Sequence, residues 1–140
     1  MSRIFWDTNV LIYLLEGSGK FLVQAKALRD KMLVRGDELL TSTITLGEVL
    51  VKPIEHGDAK AVSYYENLLK ATARLLPFEE KAAIVYARLR LDRSLRPPDA
   101  MQLACAATAD VDLFITNDTR LHFKQVPGIQ FIVPLDRLPF

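Results

Sequence analysis

Residues 3–15, Arg-Ile-Phe-Trp-Asp-Thr-Asn-Val-Leu-Ile-Tyr-Leu-Leu, decide the fold that we expect for this chain. Residues 4–6 are bulky and apolar and predict a short buried strand, and residues 10–15 predict the helix that follows it. Asp7 stands where the strand gives way to the helix. In open α/β sheets, ligands bind outside this carboxyl end of the strands. We therefore expect Asp7 to belong to a ligand site.

The rest of the chain repeats this alternation of strand and helix. Short apolar runs predict strands at residues 4–6, 38–41, 75–77, 113–116 and 129–133. Helical spacing of apolar residues predicts helices at residues 10–15, 20–35, 44–51, 58–75, 79–93 and 97–109. Pro53 and Gly57 bracket a predicted break between the third and fourth of these helices. Such alternation favours an α/β fold, with a parallel sheet of about five strands covered on both faces.

Length and composition limit the classes of protein that we consider. A chain of 140 residues suits a single domain, residues 1–140. The net charge of +1 gives no overall attraction to nucleic acid, so a polyanion would need local basic residues or a metal. The single cysteine excludes an intramolecular disulfide and a cysteine-based metal site. No signal peptide or membrane span is apparent, so we expect a cytoplasmic protein with no membrane association.

Four acidic residues are placed where they could meet at one edge of the sheet. Asp7 and Asp118 follow predicted strands, whereas Glu48 and Asp99 lie near the beginnings of predicted helices. Four clustered carboxylates would repel one another unless a cation neutralised them. Oxygen ligands favour Mg²⁺ or Mn²⁺, which can activate water and orient a phosphate. The pattern therefore indicates a divalent metal site.

Each acid taken alone also has a purely structural explanation. Asp7 and Asp118 could cap the turns that follow them, and Asp99 could be favoured in the first turn by the helix dipole. Thr45 and Glu48 match the Thr-x-x-Glu capping box, in which the glutamate bonds a backbone N–H. Capping does not require all four acids to lie at the same edge, so their joint placement favours the metal site.

Four segments resemble, in order, the acidic motifs of PIN-domain nucleases. They are residues 5–12 (FWDTNVLI), 41–49 (TSTITLGEV), 98–104 (PDAMQLA) and 114–118 (FITND). The segments span most of the chain, and its compact size resembles the VapC-type toxins of toxin–antitoxin pairs. The resemblance implies a three-layer α/β/α sandwich with a five-stranded parallel sheet.

The resemblance also implies an activity, namely that of an endoribonuclease that depends on Mg²⁺ or Mn²⁺. Asp7, Glu48, Asp99 and Asp118 would be its catalytic and metal-binding residues. Water activated by the metal would attack the scissile phosphate and leave a 5′-phosphate and a 3′-hydroxyl, with no protein nucleophile.

Three polar residues match the supporting positions of the same family. Thr8 and Asn9 correspond to the polar pair after the first acid, and Asn9 would brace the site by hydrogen bonds. Thr116 corresponds to the hydroxyl at the end of the fourth strand and would orient Asp118. Trp6 is bulkier than the usual residue at its position, and we expect it to pack beneath the site.

Basic residues, apolar helices and the family resemblance together predict the partners of the protein. Arg93, Arg96 and Arg120 are possible contacts to the RNA backbone, although a solvated surface is an equally simple explanation for them. The predicted helices within residues 20–35 and 51–75 carry more apolar side chains than one core face needs. They form either core or a surface for a partner. The resemblance favours a homodimer and a cognate antitoxin.

Two other functions remain open from the sequence. A phosphoryl-transfer or phosphatase domain could use Asp7 as a nucleophile, but such enzymes want a second Asp two positions later, where this chain has Asn9. A non-catalytic interaction module, in which the acids only cap helices, is the other alternative.

Overall fold

Five parallel strands form the central sheet of the computed structural model, which describes residues 1–140. The strands are β1 (Arg3–Trp6), β2 (Glu38–Ser42), β3 (Arg74–Leu76), β4 (Val111–Ile115) and β5 (Ile129–Val133). They are arranged in the order β3-β2-β1-β4-β5, and each neighbouring pair is parallel. The predicted five-stranded parallel sheet is therefore confirmed.

Six α-helices connect and cover these strands. They are α1 (Thr8–Glu16), α2 (Gly19–Arg35), α3 (Thr43–Glu55), α4 (Ala59–Thr72), α5 (Glu80–Leu89) and α6 (Pro97–Thr108). A short 3₁₀ turn, Thr119–Leu121, lies between β4 and β5. None of the helices has the length and apolar character needed to cross a membrane.

Alternating side chains along the strands produce two hydrophobic cores, one on each face of the sheet. On one face, Phe5 and Phe114 stack with ring centroids 5.0 Å apart and pack with residues of α5 and α6. On the other face, Ile4 and Trp6 pack with residues of α1, α2 and α4. Trp6 is fully buried, as expected of a residue beneath the carboxyl edge. The structure is thus the predicted three-layer α/β/α sandwich.

The order of the strands places a crevice beside β1. From β1 the chain moves outward through β2 to β3, and then returns to add β4 and β5 on the other side of β1. The connections that leave β1 and β4 therefore diverge at the carboxyl edge of the sheet. Such a switch point is where ligands bind in open α/β folds.

Two helix ends differ from the sequence prediction by four residues each. Helix α3 continues through Pro53 to Glu55, because the proline lies in the last turn and its missing N–H removes a single helical bond. Helix α5 ends at Leu89, and the predicted residues 90–93 form turns instead. There the Asp92 carboxylate accepts hydrogen bonds from the backbone N–H and the hydroxyl of Ser94, which stabilises a turn rather than a helix.

Gly128, which precedes β5, offers a test of the packing between β5 and α6. Gly128 has a φ of +96°, and a Cβ atom on it would lie 2.4 Å from the carbonyl oxygen of Ala107. Gly36 also has a positive φ, +74°, but has open space around it. We expect Gly36→Ala to lower the free energy of unfolding by about 1 kcal/mol, and Gly128→Ala by about 2–4 kcal/mol. Urea unfolding followed by Trp6 fluorescence measures both, and equal losses would contradict the predicted clash.

Candidate active site

The four acids singled out from the sequence line one open cavity at the carboxyl edge of the sheet. Asp7 follows β1 and Asp118 follows shortly after β4, while Glu48 and Asp99 are carried by α3 and α6. The cavity has a volume of about 260 Å³ and is also lined by Thr8, Asn9, Ile12, Pro98 and Gln102. Residues far apart in the chain are thus brought together.

Asp7 is the most enclosed of the four acids, with 7% of its surface exposed. Its Oδ1 accepts a hydrogen bond from the backbone N–H of Thr8 at 2.9 Å. Its Oδ2 accepts one from the hydroxyl of Thr116 at 2.8 Å and a long one from the amide of Asn9 at 3.5 Å. Both oxygens of Asp7 are therefore held by donors from the ends of β1 and β4.

Thr116 and Asn9 connect Asp7 to the segment that carries Asp118. The hydroxyl oxygen of Thr116 accepts hydrogen bonds from the Asn9 amide at 3.2 Å and from the backbone N–H of Asp118 at 3.1 Å. The side-chain oxygen of Asn9 accepts from the backbone N–H of Asn117 at 3.3 Å. Thr116 and Asn9 thus join the segment after β1 to the segment after β4 by hydrogen bonds.

The electrostatics of the cavity disfavour the charged forms of three acids. Burial raises the pKa of Asp7 to about 6, and the charges of Asp99 and Glu48 add to the rise, although the Thr116 and Thr8 donors oppose it. Desolvation also raises the pKa values of Glu48 and Asp99. A cation among these carboxylates would relieve this cost, so the all-oxygen donor set fits a hard divalent ion.

The fourth acid is already neutralised by the chain itself. The guanidinium of Arg120 donates to Asp118 through Nε at 2.8 Å and also through a second, shorter contact, and the hydrogen bonds lower the pKa of Asp118. The same guanidinium lies 3.5 Å from a carboxylate oxygen of Asp99. No three acidic, histidine or cysteine side chains are close enough to form a ready-made metal site. An ion held directly by three of the acids would therefore require these side chains to rearrange.

The structural explanations of the acids hold in part. Asp7 and Asp118 are N-cap residues, and Asp99 lies in the first turn of α6. The capping-box explanation of Glu48 is wrong, because α3 begins at Thr43 and its N-cap is Ser42, whose hydroxyl accepts from the Ile44 N–H at 3.1 Å. Helix capping therefore does not explain why an acidic residue stands at position 48.

Sequence reasoning missed Gln102, which is 2% exposed and lines the cavity. Its amide nitrogen donates to the hydroxyls of Thr8 and Thr45, at 2.9 and 2.8 Å. A signal was present, since Gln102 is a polar residue within an apolar run and comes three positions after Asp99. That spacing places both residues on the same side of α6.

The basic residues predicted near the site occupy different positions. Arg120 borders the cavity, and its side chain is 45% exposed. Arg96 is the exposed N-cap residue of α6, and its charge lowers the pKa values of Asp99 and Asp118. Arg93 lies in the exposed turns after α5. Arg120 and Arg96 thus contribute positive charge next to the acids.

The family model for the PIN domain matches residues 4–129 of this sequence. No match was found among curated proteins. Among solved structures, the chain is similar to VapBC2 from Rickettsia felis bound to a promoter DNA fragment, with 14% identity, a TM-score of 0.70, and coverage of 94% of this chain and 98% of that one. A toxin–antitoxin complex from Klebsiella pneumoniae matches with 24% identity, a TM-score of 0.64 and coverage of 90% and 94%. VapBC-5 from Mycobacterium tuberculosis matches with 20% identity, a TM-score of 0.63 and coverage of 96% and 99%. These structures share the fold.

The raised pKa of Asp7 predicts a pH dependence of stability in the metal-free protein. Because the folded-state pKa of about 6 exceeds the ordinary value of 3.8, the folded state binds the proton more tightly, and stability falls as the pH rises through this range. At about 1.4 kcal/mol per pKa unit, the loss is about 3 kcal/mol. Asp7→Asn removes the titrating carboxyl group and with it this loss. In urea unfolding with EDTA, the free energy of unfolding of the variant should therefore rise relative to that of the wild type between about pH 4 and pH 7. Parallel pH profiles would contradict the prediction.

Proposed function

The chain belongs to the PIN domain family, and from this premise we propose that it is an endoribonuclease that depends on Mg²⁺ or Mn²⁺. The observation that carries the proposal is the convergence of Asp7, Glu48, Asp99 and Asp118 on one cavity. The four come from four different elements, and three of them have pKa values raised by desolvation. A divalent cation would offset the repulsion and desolvation of such a group of carboxylates.

Each residue of the site has a role in this proposal. The four acids hold the cation, Thr116 and Asn9 fix the orientation of Asp7, and Thr116 also bonds the backbone at Asp118. When bound, the ion supplies an activated water and neutralises charge on the phosphodiester. Hydrolysis then leaves a 5′-phosphate and a 3′-hydroxyl.

The surroundings of Asp7 argue against its use as a nucleophile. Both of its carboxylate oxygens accept hydrogen bonds, which hold the carboxylate in one orientation. Asn9 occupies the position where a phosphatase of that type would carry its second Asp. The amide of Asn9 donates to Asp7 and Thr116, which is a bracing role.

RNA would approach the acids past the basic residues at the rim. Arg120 and Arg96 are exposed and lie close enough to influence the carboxylates, so they are suited to hold phosphates next to the metal. Arg93 would extend this contact along the turns before α6. With a net charge of only +1, this local group is where we place the RNA backbone.

We also propose that the protein is the toxin of a toxin–antitoxin pair, is homodimeric and acts in the cytoplasm. Structures with its fold include VapBC2 from Rickettsia felis and a toxin–antitoxin complex from Klebsiella pneumoniae. Apolar side chains on the outer helices are available for partners, among them Leu33 and Val34 of α2 and Ile54 of α3, all more than half exposed. Coexpression with the product of the neighbouring reading frame, followed by size-exclusion chromatography with light scattering, tests both associations.

Replacing one acid tests the proposed nuclease directly. Asp99→Asn removes a ligand charge, and we expect RNA cleavage in Mn²⁺ to fall at least about 100-fold, since metal ions contribute several kcal/mol to such reactions. Asp58→Asn is the matched control, because Asp58 caps α4 away from the cavity and Asn caps equally well. Cleavage by Asp99→Asn at the wild-type rate, or wild-type cleavage in EDTA, would contradict the proposal.

Replacement of Arg120 should have opposite effects on the affinity for the metal and on the affinity for RNA. Arg120→Gln removes the cation that competes for Asp118 and Asp99, so Mn²⁺ should bind about two- to five-fold more tightly, as for an exposed ion pair. The KM for RNA should rise, because a phosphate contact is lost. Calorimetry and cleavage kinetics measure the two effects, with Arg88→Gln on the exposed side of α5 as the control. Weaker Mn²⁺ binding would show that Arg120 holds the ligands in place rather than competing.

A further inference from the structure

A second open cavity lies at the same edge of the sheet as the one lined by the four acids. Its volume of about 650 Å³ is within the range of pockets that bind small molecules, so it can hold a nucleotide. The segment after β4 takes part in both cavities, because Asp118 lines the acidic one while Asn117 and Thr119 line the second. Helix α1 is shared in the same way, through Ile12 and Tyr13. We call this second cavity the flanking pocket.

The lining of the flanking pocket carries positive charge, in contrast to that of the acidic cavity. Lys20 of α2 and Arg137 after β5 supply this charge, and Asp136 is the one acid of the lining. Lys20 and Arg137 are exposed, and neither forms an ion pair with an acid of the chain. Cationic side chains without a partner in the protein are available to phosphate groups. The charge of the pocket therefore favours an anionic ligand.

Phe123 lines the flanking pocket although 94% of its surface is exposed. Its ring stacks on no other aromatic ring of the protein and has no cation over it. The ring of Phe21, by contrast, stacks on Tyr13 with centroids 4.7 Å apart and has the Nζ of Lys20 5.3 Å from its centroid. Phe123 is thus the ring of the pocket that is free to contact a ligand. Unpaired bases of single-stranded nucleic acids stack on such rings.

Two amide side chains of the pocket have free hydrogen-bonding groups. The backbone N–H of Leu135 donates to Oδ1 of Asn117 at 3.1 Å, which orients this amide and leaves its Nδ2 without a partner in the protein. Gln24 of α2 also lines the pocket, and its side chain forms no hydrogen bond within the chain. Base edges carry donors and acceptors that such amides can bind. Free cations, a free ring and free amides together match a nucleotide better than an apolar segment of a protein partner.

We propose that the flanking pocket binds an unpaired nucleotide of the RNA next to the scissile phosphate, with its base stacked on Phe123 and its phosphates held by Lys20 and Arg137. The proposal rests on the proposed function, because it assigns a nucleotide-binding site to the substrate of that nuclease. The bases of a duplex stack on one another, so only an unpaired strand presents a base to the ring. The segment at Asn117, which lies between the two cavities in the chain order of their lining, connects this nucleotide to the acids.

Binding of a fluorescently labelled oligoadenylate of about eight nucleotides tests the stacking contact. Fluorescence anisotropy is measured in EDTA, where metal-dependent cleavage is blocked. Phe123→Ala should weaken binding about 5-fold or more, as expected for the loss of one base stack. Phe123→Trp keeps an aromatic face and should bind at least as tightly as the wild type. Tyr64→Ala is the control, because Tyr64 is an exposed aromatic residue of α4 outside the pocket.

A second oligonucleotide separates base stacking from the phosphate contacts. It has the same length and charge but is abasic, so Phe123→Ala should leave its affinity unchanged. Lys20→Gln and Arg137→Gln should weaken the binding of both oligonucleotides, and each should reduce the slope of log K against log salt by about 0.7. Lys26→Gln is the control for charge, because Lys26 is an exposed lysine of α2 that does not line the pocket.

Three results would overturn the proposal. The first is wild-type protein that does not bind the oligoadenylate at low salt. The second is a Phe123→Ala variant that binds the oligoadenylate as tightly as the wild type, and the third is an equal loss of affinity for the oligoadenylate and the abasic oligonucleotide. If Phe123→Ala leaves RNA binding unchanged but weakens binding of the coexpressed product of the neighbouring reading frame, the pocket belongs to a protein partner instead.

The outcomes also distinguish this proposal from the proposed function. Cleavage of RNA in Mn²⁺ by wild-type protein, together with unchanged oligoadenylate binding by Phe123→Ala, contradicts the pocket alone. Absence of cleavage in Mn²⁺, together with oligoadenylate binding in EDTA that depends on Phe123, contradicts the nuclease and supports the pocket as a site for an unpaired nucleotide.

Discussion

The buried carboxylate of Asp7 is the constraint on which the site depends. It sits at the carboxyl end of the central strand, where donors from Thr8, Asn9 and Thr116 surround it, yet burial still raises its pKa to about 6. An acid held in this way is costly in the metal-free protein. A cation next to the carboxylate would offset this cost of desolvation. We therefore interpret the site as a metal centre rather than as a set of helix caps.

The fold supplies the other acids through its topology. Because all five strands are parallel and the chain changes direction beside β1, the ends of β1 and β4 open a crevice between them. The helices α3 and α6 then bring Glu48 and Asp99 to its rim. Beneath these acids, Gln102 and the threonine hydroxyls replace the apolar packing found elsewhere in the interior. This polar layer thus lies directly beneath the cavity.

Much of this arrangement is predictable from the sequence, because it follows from local patterns. Apolar runs marked all five strands, and the position of Asp7 after the first of them marked the edge where the site lies. The contacts that tune the site were not predictable. That Ser42 rather than Thr45 caps α3, and that Arg120 folds back onto Asp118, depend on side-chain rotamers and on distances between elements. Neither leaves a periodic signal in a single sequence.

We propose above all that a divalent cation binds among Asp7, Glu48, Asp99 and Asp118. The most direct test is a crystal structure of the protein grown with Mn²⁺, with data collected so that the anomalous scattering of manganese locates the ion. We expect an anomalous peak within about 2–2.5 Å of oxygens from at least two of these acids, with the Arg120 guanidinium moved away from Asp118. A cavity without a peak at saturating Mn²⁺, with Arg120 still bound to Asp118, would contradict it.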